Sequence, residues 1–151
     1  MISSILLACG GFLLAVLWMD LMFDVQVLRH RGNDSPLPDA VLVSIAGYYR
    51  RVTTEAWPMN RVIAAVMVLA LGSLLVQVFH AGGSRWVALL SLALCGGSVG
   101  LVPRVLRNAV RLGARADAVA VQSQLARNIC RDHLVCLAGI VAFLILQLSA
   151  R

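Results

Sequence analysis

The chain has 151 residues, of which 60% are hydrophobic and only 13% are charged, and its formal net charge is +6. A soluble domain of this size needs more polar residues to cover its surface, so the composition indicates a membrane protein. All thirteen basic residues are arginines, and they are grouped between long uncharged segments. We therefore expect a lipid bilayer, and no nucleic acid, as the partner of this charge.

Four uncharged segments are each close to the ~20 residues that an α-helix needs to cross hydrocarbon. They are too long for the strands of a membrane barrel, which have ~10 residues. The sequence therefore predicts an all-α fold, a single integral membrane domain over 1–151 built as a four-helix bundle with amphipathic cytoplasmic helices. The predicted spans are about 3–27, 59–80, 86–106 and 132–150.

The distribution of arginine predicts the orientation. Eleven of the thirteen arginines lie between the first and second or between the third and fourth uncharged segments. By the positive-inside rule, the two loops at about 28–58 and 107–131 are cytoplasmic and both termini are extracytoplasmic. This predicts a multi-pass protein of a bacterial inner membrane. A short turn at 81–84 makes the second and third spans an antiparallel hairpin.

The first span ends in two acidic residues, Asp20 and Asp24. Because they are four residues apart, they share one face of the helix. Carboxylates close to hydrocarbon are costly, so we expect both to face protein and to have polar partners.

An amphipathic helix is predicted to begin at Pro38 in the first cytoplasmic loop. Residues at helical spacing form its apolar face: Val41, Ile45, Tyr48 and Val52. Such a helix either lies in the inner interface with its tyrosines at the level of the lipid headgroups, or packs across the bundle. Pro58 then begins the second span, which carries Asn60 and Arg61 at the depth of the two acids.

The third span contains Gly96 and Gly100, a GxxxG spacing that lets another helix approach its backbone and predicts a contact in a homo-oligomer. After this span, four arginines fall on one stripe of a helical extension: Arg104, Arg107, Arg111 and Arg115. We expect the stripe to contact anionic lipid headgroups, with a surface for an anionic substrate or partner as the alternative. Residues 117–132 are predicted to form a separate helix before the fourth span.

The four spans thus bring polar residues to one level at the cytoplasmic end of the bundle: Asp20, Asp24, Asn60, Arg61, Asp132 and His133. We favour a structural clamp of ion pairs and hydrogen bonds. A binding or proton-relay site is the alternative, because His133 titrates near neutral pH. A metal site built from Asp20, Asp24 and His133 has too weak a donor set, and no cofactor motif is present, so we expect no metal and no cofactor.

Three features resemble a family: a first span with a polar end, the segment 58–61 at the start of the second span, and the segment 127–133 leading into the fourth. They are similar to four-helix bacterial membrane proteins of uncharacterised function that are grouped with anthrone-oxygenase-like proteins. The resemblance implies the same compact bundle and cofactor-independent oxygenation of an aromatic substrate. The acidic segment 18–24 departs from the small or proline-containing end that this family has there.

The sequence therefore predicts an inner-membrane protein of undefined biochemical function, in which the cytoplasmic polar cluster holds the bundle together. One alternative is a membrane enzyme of the anthrone-oxygenase-like type that acts on a small apolar or aromatic substrate. The other is a small proton-coupled carrier, which would work as an oligomer because four helices are few for a carrier.

Overall fold

The computed structural model of the protein describes residues 2–30, 35–80 and 85–149, which contain five α-helices and no β-strand. The helices are α1 (Ile2–Asp24), α2 (Asp39–Arg50), α3 (Trp57–His80), α4 (Arg85–Ala114) and α5 (Val119–Ser149). A 3-10 helix, Val25–His30, extends α1, and a π-helical turn, Arg51–Glu55, extends α2. The predicted turn at 81–84 lies outside the described residues.

Four of these helices are long and apolar enough to cross a membrane: α1 with its 3-10 extension, α3, α4 and α5. The prediction of an all-α protein with four membrane-length helices is confirmed. Within the bundle, α5 packs against both α1 and α4. Glycines allow these close contacts, since a Cβ atom on Gly10 of α1 would lie 2.8 Å from Phe143, and one on Gly139 of α5 would lie 2.8 Å from the Ser98 hydroxyl.

The short helix α2 packs across one end of the bundle. Its buried side chains, which include Leu42, Ile45 and Tyr49, join a hydrophobic core with residues of α4 and α5. A Cβ atom on Gly113 of α4 would lie 3.0 Å from the backbone nitrogen of Arg50, so only glycine leaves room for α2 at this point. Of the two placements considered for this helix, the structure shows packing across the bundle.

The loop predicted at 107–131 is helical except for four residues at 115–118. The helical extension expected after the third span is the end of α4, whereas the helix expected at 117–132 is not separate but forms the first half of α5. The reason is that no Gly or Pro occurs between Val119 and Ala138, so nothing ends the helix. Arg115, with a φ of 51°, makes the turn after α4 in the left-handed conformation that often ends helices.

Helix α3 is the most loosely held. It packs against α1 and α4, but Ala70 and Leu74 are its only buried residues, and no residue at 57–69 is buried. Because the first half of α3 stands away from the bundle, space remains between it and the other helices. This space is the cavity described below.

Gly96 and Gly100 lie on the exposed side of α4. Within the described part of the chain, a Cβ atom on either glycine would meet no heavy atom within 4 Å. The close approach of another helix therefore does not occur at these residues inside the bundle, and the homo-oligomer contact stays a prediction.

Candidate functional site

A cavity of about 360 Å³ lies between the first half of α3 and the rest of the bundle. All five helices contribute to its walls. The walls are mostly apolar, and they include Leu13, Val16 and Leu17 of α1, Ile63 and Met67 of α3, Val99 and Val102 of α4, and Cys136 and Ile140 of α5.

The polar side chains of the cavity are few. Five lie towards the α2 end of the bundle: Asp20, Tyr48, Tyr49, Asn60 and His133. Two further hydroxyl groups in the walls donate to backbone carbonyls of their own helical segments, Thr53 to Tyr49 at 2.7 Å and Ser98 to Leu94 at 3.0 Å. The groups available to a ligand are therefore gathered at one end of an apolar space.

Asp24 connects three helices behind this end of the cavity. Its side chain is 0% exposed, and it accepts hydrogen bonds from the Tyr49 hydroxyl at 2.7 Å and from Nδ1 of His133 at 2.6 Å. Because a carboxylate oxygen accepts, Nδ1 of His133 is the donor of this contact in the Nδ1–H tautomer and in the imidazolium form. The other ring nitrogen, Nε2, has no hydrogen-bond partner among the described residues, and His133 lines the cavity.

Asp20 lies about one turn before Asp24 and lines the cavity itself. The Tyr48 hydroxyl donates to its Oδ1 at 2.6 Å, and the Tyr48 ring stacks on Phe23 with 4.1 Å between the ring centroids. No described residue donates to Oδ2 of Asp20. One oxygen of this carboxylate is thus held by α2, and the other is available to a ligand.

Asp132 belongs to a different arrangement. Arg104 of α4 donates to both of its oxygens, from Nε to Oδ2 at 2.7 Å and from Nη2 to Oδ1, and Nε of Arg131 lies 3.6 Å from Oδ1. The Asp132 side chain is buried, whereas the Arg104 side chain is 47% exposed. Asp132 is absent from the cavity wall, so this bidentate pair joins α4 to α5 without facing the cavity.

The structure therefore divides the six residues of the predicted polar cluster. Asp24 and His133 are in direct contact, and Asp20 lies beside them at the cavity. Asn60 also lines the cavity, where its amide donates to the carbonyl of Val52 at 2.9 Å. Arg61 lies apart from the cluster, with its guanidinium 3.8 Å from the centre of the Trp57 ring.

Sequence reasoning missed the role of Tyr48 and Tyr49. The sequence pattern places Tyr48 on an apolar face and allows both rings at the headgroup level, yet Tyr49 is only 2% exposed and both hydroxyls donate to carboxylates. The sequence contains a signal for this role. A tyrosine on the buried face of an amphipathic helix needs a hydrogen-bond partner for its hydroxyl, and Asp20 and Asp24 in the first span need polar partners.

The arginine stripe is largely engaged within the chain. Besides the pair of Arg104 with Asp132, Arg111 contacts Asp117 at 2.9 Å and Arg115 contacts Asp39 at 2.5 Å. Arg107, the fourth member, is exposed. Three of the four charges are thus partly neutralised by aspartates, and contact with anionic headgroups stays a prediction.

The described residues contain no group of three or more His, Cys, Asp and Glu side chains arranged to hold a metal ion. No family model matches this sequence, and no curated protein or solved structure matches it. The resemblance to anthrone-oxygenase-like proteins therefore stays a prediction from the sequence.

We expect both tyrosines to keep their protons well above pH 10. Burial, followed by the nearby Asp20 and Asp24 carboxylates, raises the pKa of Tyr48 and of Tyr49 far above the ordinary value of about 10. Because the fold favours the protonated form, this contribution to stability is complete below about pH 10 and is lost as the pH rises further. These are the only tyrosines in the chain, so the ultraviolet absorbance of tyrosinate measures them directly.

The absorbance should therefore appear only when circular dichroism shows unfolding, and the denatured chain, as the control, should titrate near pH 10. Reversible ionisation near that pH with the helices intact would contradict the hydrogen-bonded, buried positions of the two hydroxyls.

We expect Arg104→Gln to lower the free energy of unfolding by about 2 to 4 kcal/mol, because it leaves the buried carboxylate of Asp132 without its main partner. The lower part of this range allows for the partial exposure of Arg104. The double variant Arg104→Gln/Asp132→Asn should recover most of the loss, which a denaturation curve in detergent would measure. Arg107→Gln is the matched control, with a change within about 0.5 kcal/mol. Additive losses in the double variant would show that the two residues do not act as a pair.

Proposed function

We propose that this chain is a multi-pass membrane protein that binds a small, mainly apolar molecule in the cavity, with the polar head of the molecule beside Asp20 and His133. The supporting observation is an apolar cavity whose available polar groups lie at one end. Its volume of about 360 Å³ lies within the range of sites for small molecules. This arrangement suits a ligand with an apolar body and one polar head.

The position of α3 supports a ligand that arrives from the lipid. Met59 and Asn60 line the cavity and are also exposed at the surface of the first half of α3. This half would be surrounded by lipid if α3 crosses the membrane, so the cavity opens sideways towards the bilayer. A molecule that dissolves in hydrocarbon can enter by this opening without passing through water.

The polar cluster would then have two separate roles. The pair of Arg104 with Asp132 acts as the clamp that the sequence predicts, because it joins two helices away from the cavity. Asp24 instead orients His133 by accepting from Nδ1, and it leaves Nε2 as the atom that meets a ligand.

The contact between His133 and Asp24 also favours a second candidate function, that of a membrane enzyme. An imidazole held at Nδ1 by a carboxylate can accept a proton at Nε2 and act as a general base on a bound substrate. This is compatible with the anthrone-oxygenase-like resemblance and its aromatic substrate. Turnover of an aromatic substrate that is lost in His133→Gln would support the enzyme. Unchanged turnover in that variant would remove His133 from the chemistry.

We further propose that the protein lies in a bacterial inner membrane with both termini extracytoplasmic. The end of the bundle that carries α2 also carries the four arginines of the stripe, which agrees with the positive-inside rule for a cytoplasmic face. In this orientation Arg107 can contact anionic headgroups, and Gly96 and Gly100 face the lipid, where a second copy of the chain can pack.

Filling the cavity should prevent binding. We expect Val99→Phe, which places a ring in the cavity wall, to abolish the rise in melting temperature that a small naphthyl ligand gives the wild-type protein in a neutral detergent. The matched control is the same substitution at Val68, which is 71% exposed on α3 and should leave the rise intact. Suitable probes are 1-naphthylmethylamine, 1-naphthylmethanol and 1-naphthoate. If none of them stabilises the wild type, or if Val99→Phe does not change the effect, the proposed binding site is wrong.

Reporter fusions should show the proposed orientation. We expect alkaline phosphatase, which is active only outside the cytoplasm, to be active when it is fused after Arg151. A green fluorescent protein that folds only inside the cytoplasm should be fluorescent when it is fused after Ala114. The reverse pair of signals would show that the arginine-rich end faces outwards.

A further inference from the structure

The polar end of the cavity has more carboxylates than basic groups, because Asp20 and Asp24 lie there with His133 as the one basic side chain beside them. Asp20 is the only carboxylate among the lining residues, and no Lys or Arg lines the cavity. The nearby Asp132 is already neutralised by Arg104, and Arg61 lies on the Trp57 ring. This absence of arginine is specific to the cavity, since the same end of the protein is rich in arginine.

The hydrogen-bond donors at this end are already used. Tyr48 donates to Asp20, and Tyr49 and Nδ1 of His133 donate to Asp24. The amide of Asn60 donates to a backbone carbonyl. What the site offers to a ligand is therefore mainly acceptors, namely Oδ2 of Asp20 and the side-chain oxygen of Asn60, with Nε2 of His133 as a further acceptor when the imidazole is neutral.

A protonated amine fits this set of acceptors better than other polar heads. An ammonium group has three donors, no acceptor and a positive charge. A carboxylate ligand would meet the carboxylate of Asp20, and a hydroxyl group has one proton for several acceptors. The rings of Tyr48 and Tyr49, whose centroids are 5.3 Å apart, add aromatic surface that attracts cations.

From this geometry, and on the basis of the binding function proposed above, we infer that the ligand of the cavity is a lipid-soluble amine. Its ammonium group binds at Oδ2 of Asp20, and its apolar body lies along the walls formed by α1, α3 and α4.

Amine and proton should compete for Asp20, because a carboxylate that holds a proton cannot form an ion pair with an ammonium group. The titratable groups that face Asp20 are Asp24 on its own helix, Tyr48 and Tyr49 on α2, and His133 on α5. At a pH low enough to protonate Asp20, binding converts the protonated Asp20 and a free ammonium ion into an ion pair and a released proton. This exchange is the step that a proton-coupled carrier requires.

The test compares three ligands of the same size in the purified full-length protein, in neutral detergent: 1-naphthylmethylamine, 1-naphthylmethanol and 1-naphthoate. We expect the amine to bind at least about tenfold more tightly than the alcohol, which corresponds to about 1.4 kcal/mol, and the carboxylate to bind least. Lowering the pH from about 8 to about 5, across the range where carboxylates and histidine begin to gain protons, should weaken binding of the amine much more than binding of the alcohol.

Asp20→Asn should remove the preference for the amine, so that the amine and the alcohol bind with similar affinity. The matched control is Asp39→Asn, which removes one carboxylate at an exposed site paired with Arg115 and should keep the preference. The ranking of ligands and the pH dependence are measured on the wild type, so the inference remains testable if Asp20→Asn does not fold.

The outcomes separate the two proposals. If none of the three compounds binds the wild type, the proposed binding function is wrong. If the alcohol or the carboxylate binds as tightly as the amine, the cavity binds ligands but the inference of an amine is wrong. The same conclusion holds if Asp20→Asn folds and keeps the preference.

Discussion

The buried carboxylate of Asp24 is the constraint on which the end of the bundle that carries α2 depends. A charge removed from water is costly unless hydrogen bonds compensate it, and Asp24 obtains these from Tyr49 and His133. Its two oxygens therefore tie α1 to α2 and to α5. This requirement holds α2 across the bundle, and with α2 in place Tyr48 reaches Asp20. The polar end of the cavity is thus a consequence of satisfying one charge.

The parts of this fold that the sequence predicts are those determined by local patterns. Long uncharged segments predict the membrane-length helices. The position of Asp20 and Asp24 near the end of the first one predicts that polar side chains gather at one depth of the bundle. The choice of partners is not local. Asp132 and His133 are adjacent in the sequence, yet they lie on different sides of α5 and bind Arg104 and Asp24 respectively. Successive residues of a helix point about 100° apart. A prediction from depth in the membrane alone therefore groups Asp132 with His133, although the fold turns them towards different partners.

The structure also separates stability from binding within the same cluster. The pair between Arg104 and Asp132 is saturated, because the guanidinium group meets both carboxylate oxygens and leaves no acceptor for a ligand. Asp20 and His133 each have one atom committed to the protein and one without a partner in the described residues. A side chain needs such an unpartnered atom to bind or act on a ligand, since a polar group whose hydrogen bonds are all made within the protein has none left for a substrate.

The loose first half of α3 has a consequence for how much ligand the protein meets. Its two buried residues, Ala70 and Leu74, lie in the second half of the helix, so the gap beside the cavity is confined to the half of the bundle next to α2. If α3 crosses a bilayer as proposed, a molecule dissolved in lipid would reach this gap from a single leaflet. Occupancy would then follow the concentration in that leaflet and not the concentration in water, and a compound that partitions strongly into lipid could fill the cavity even with a modest intrinsic affinity.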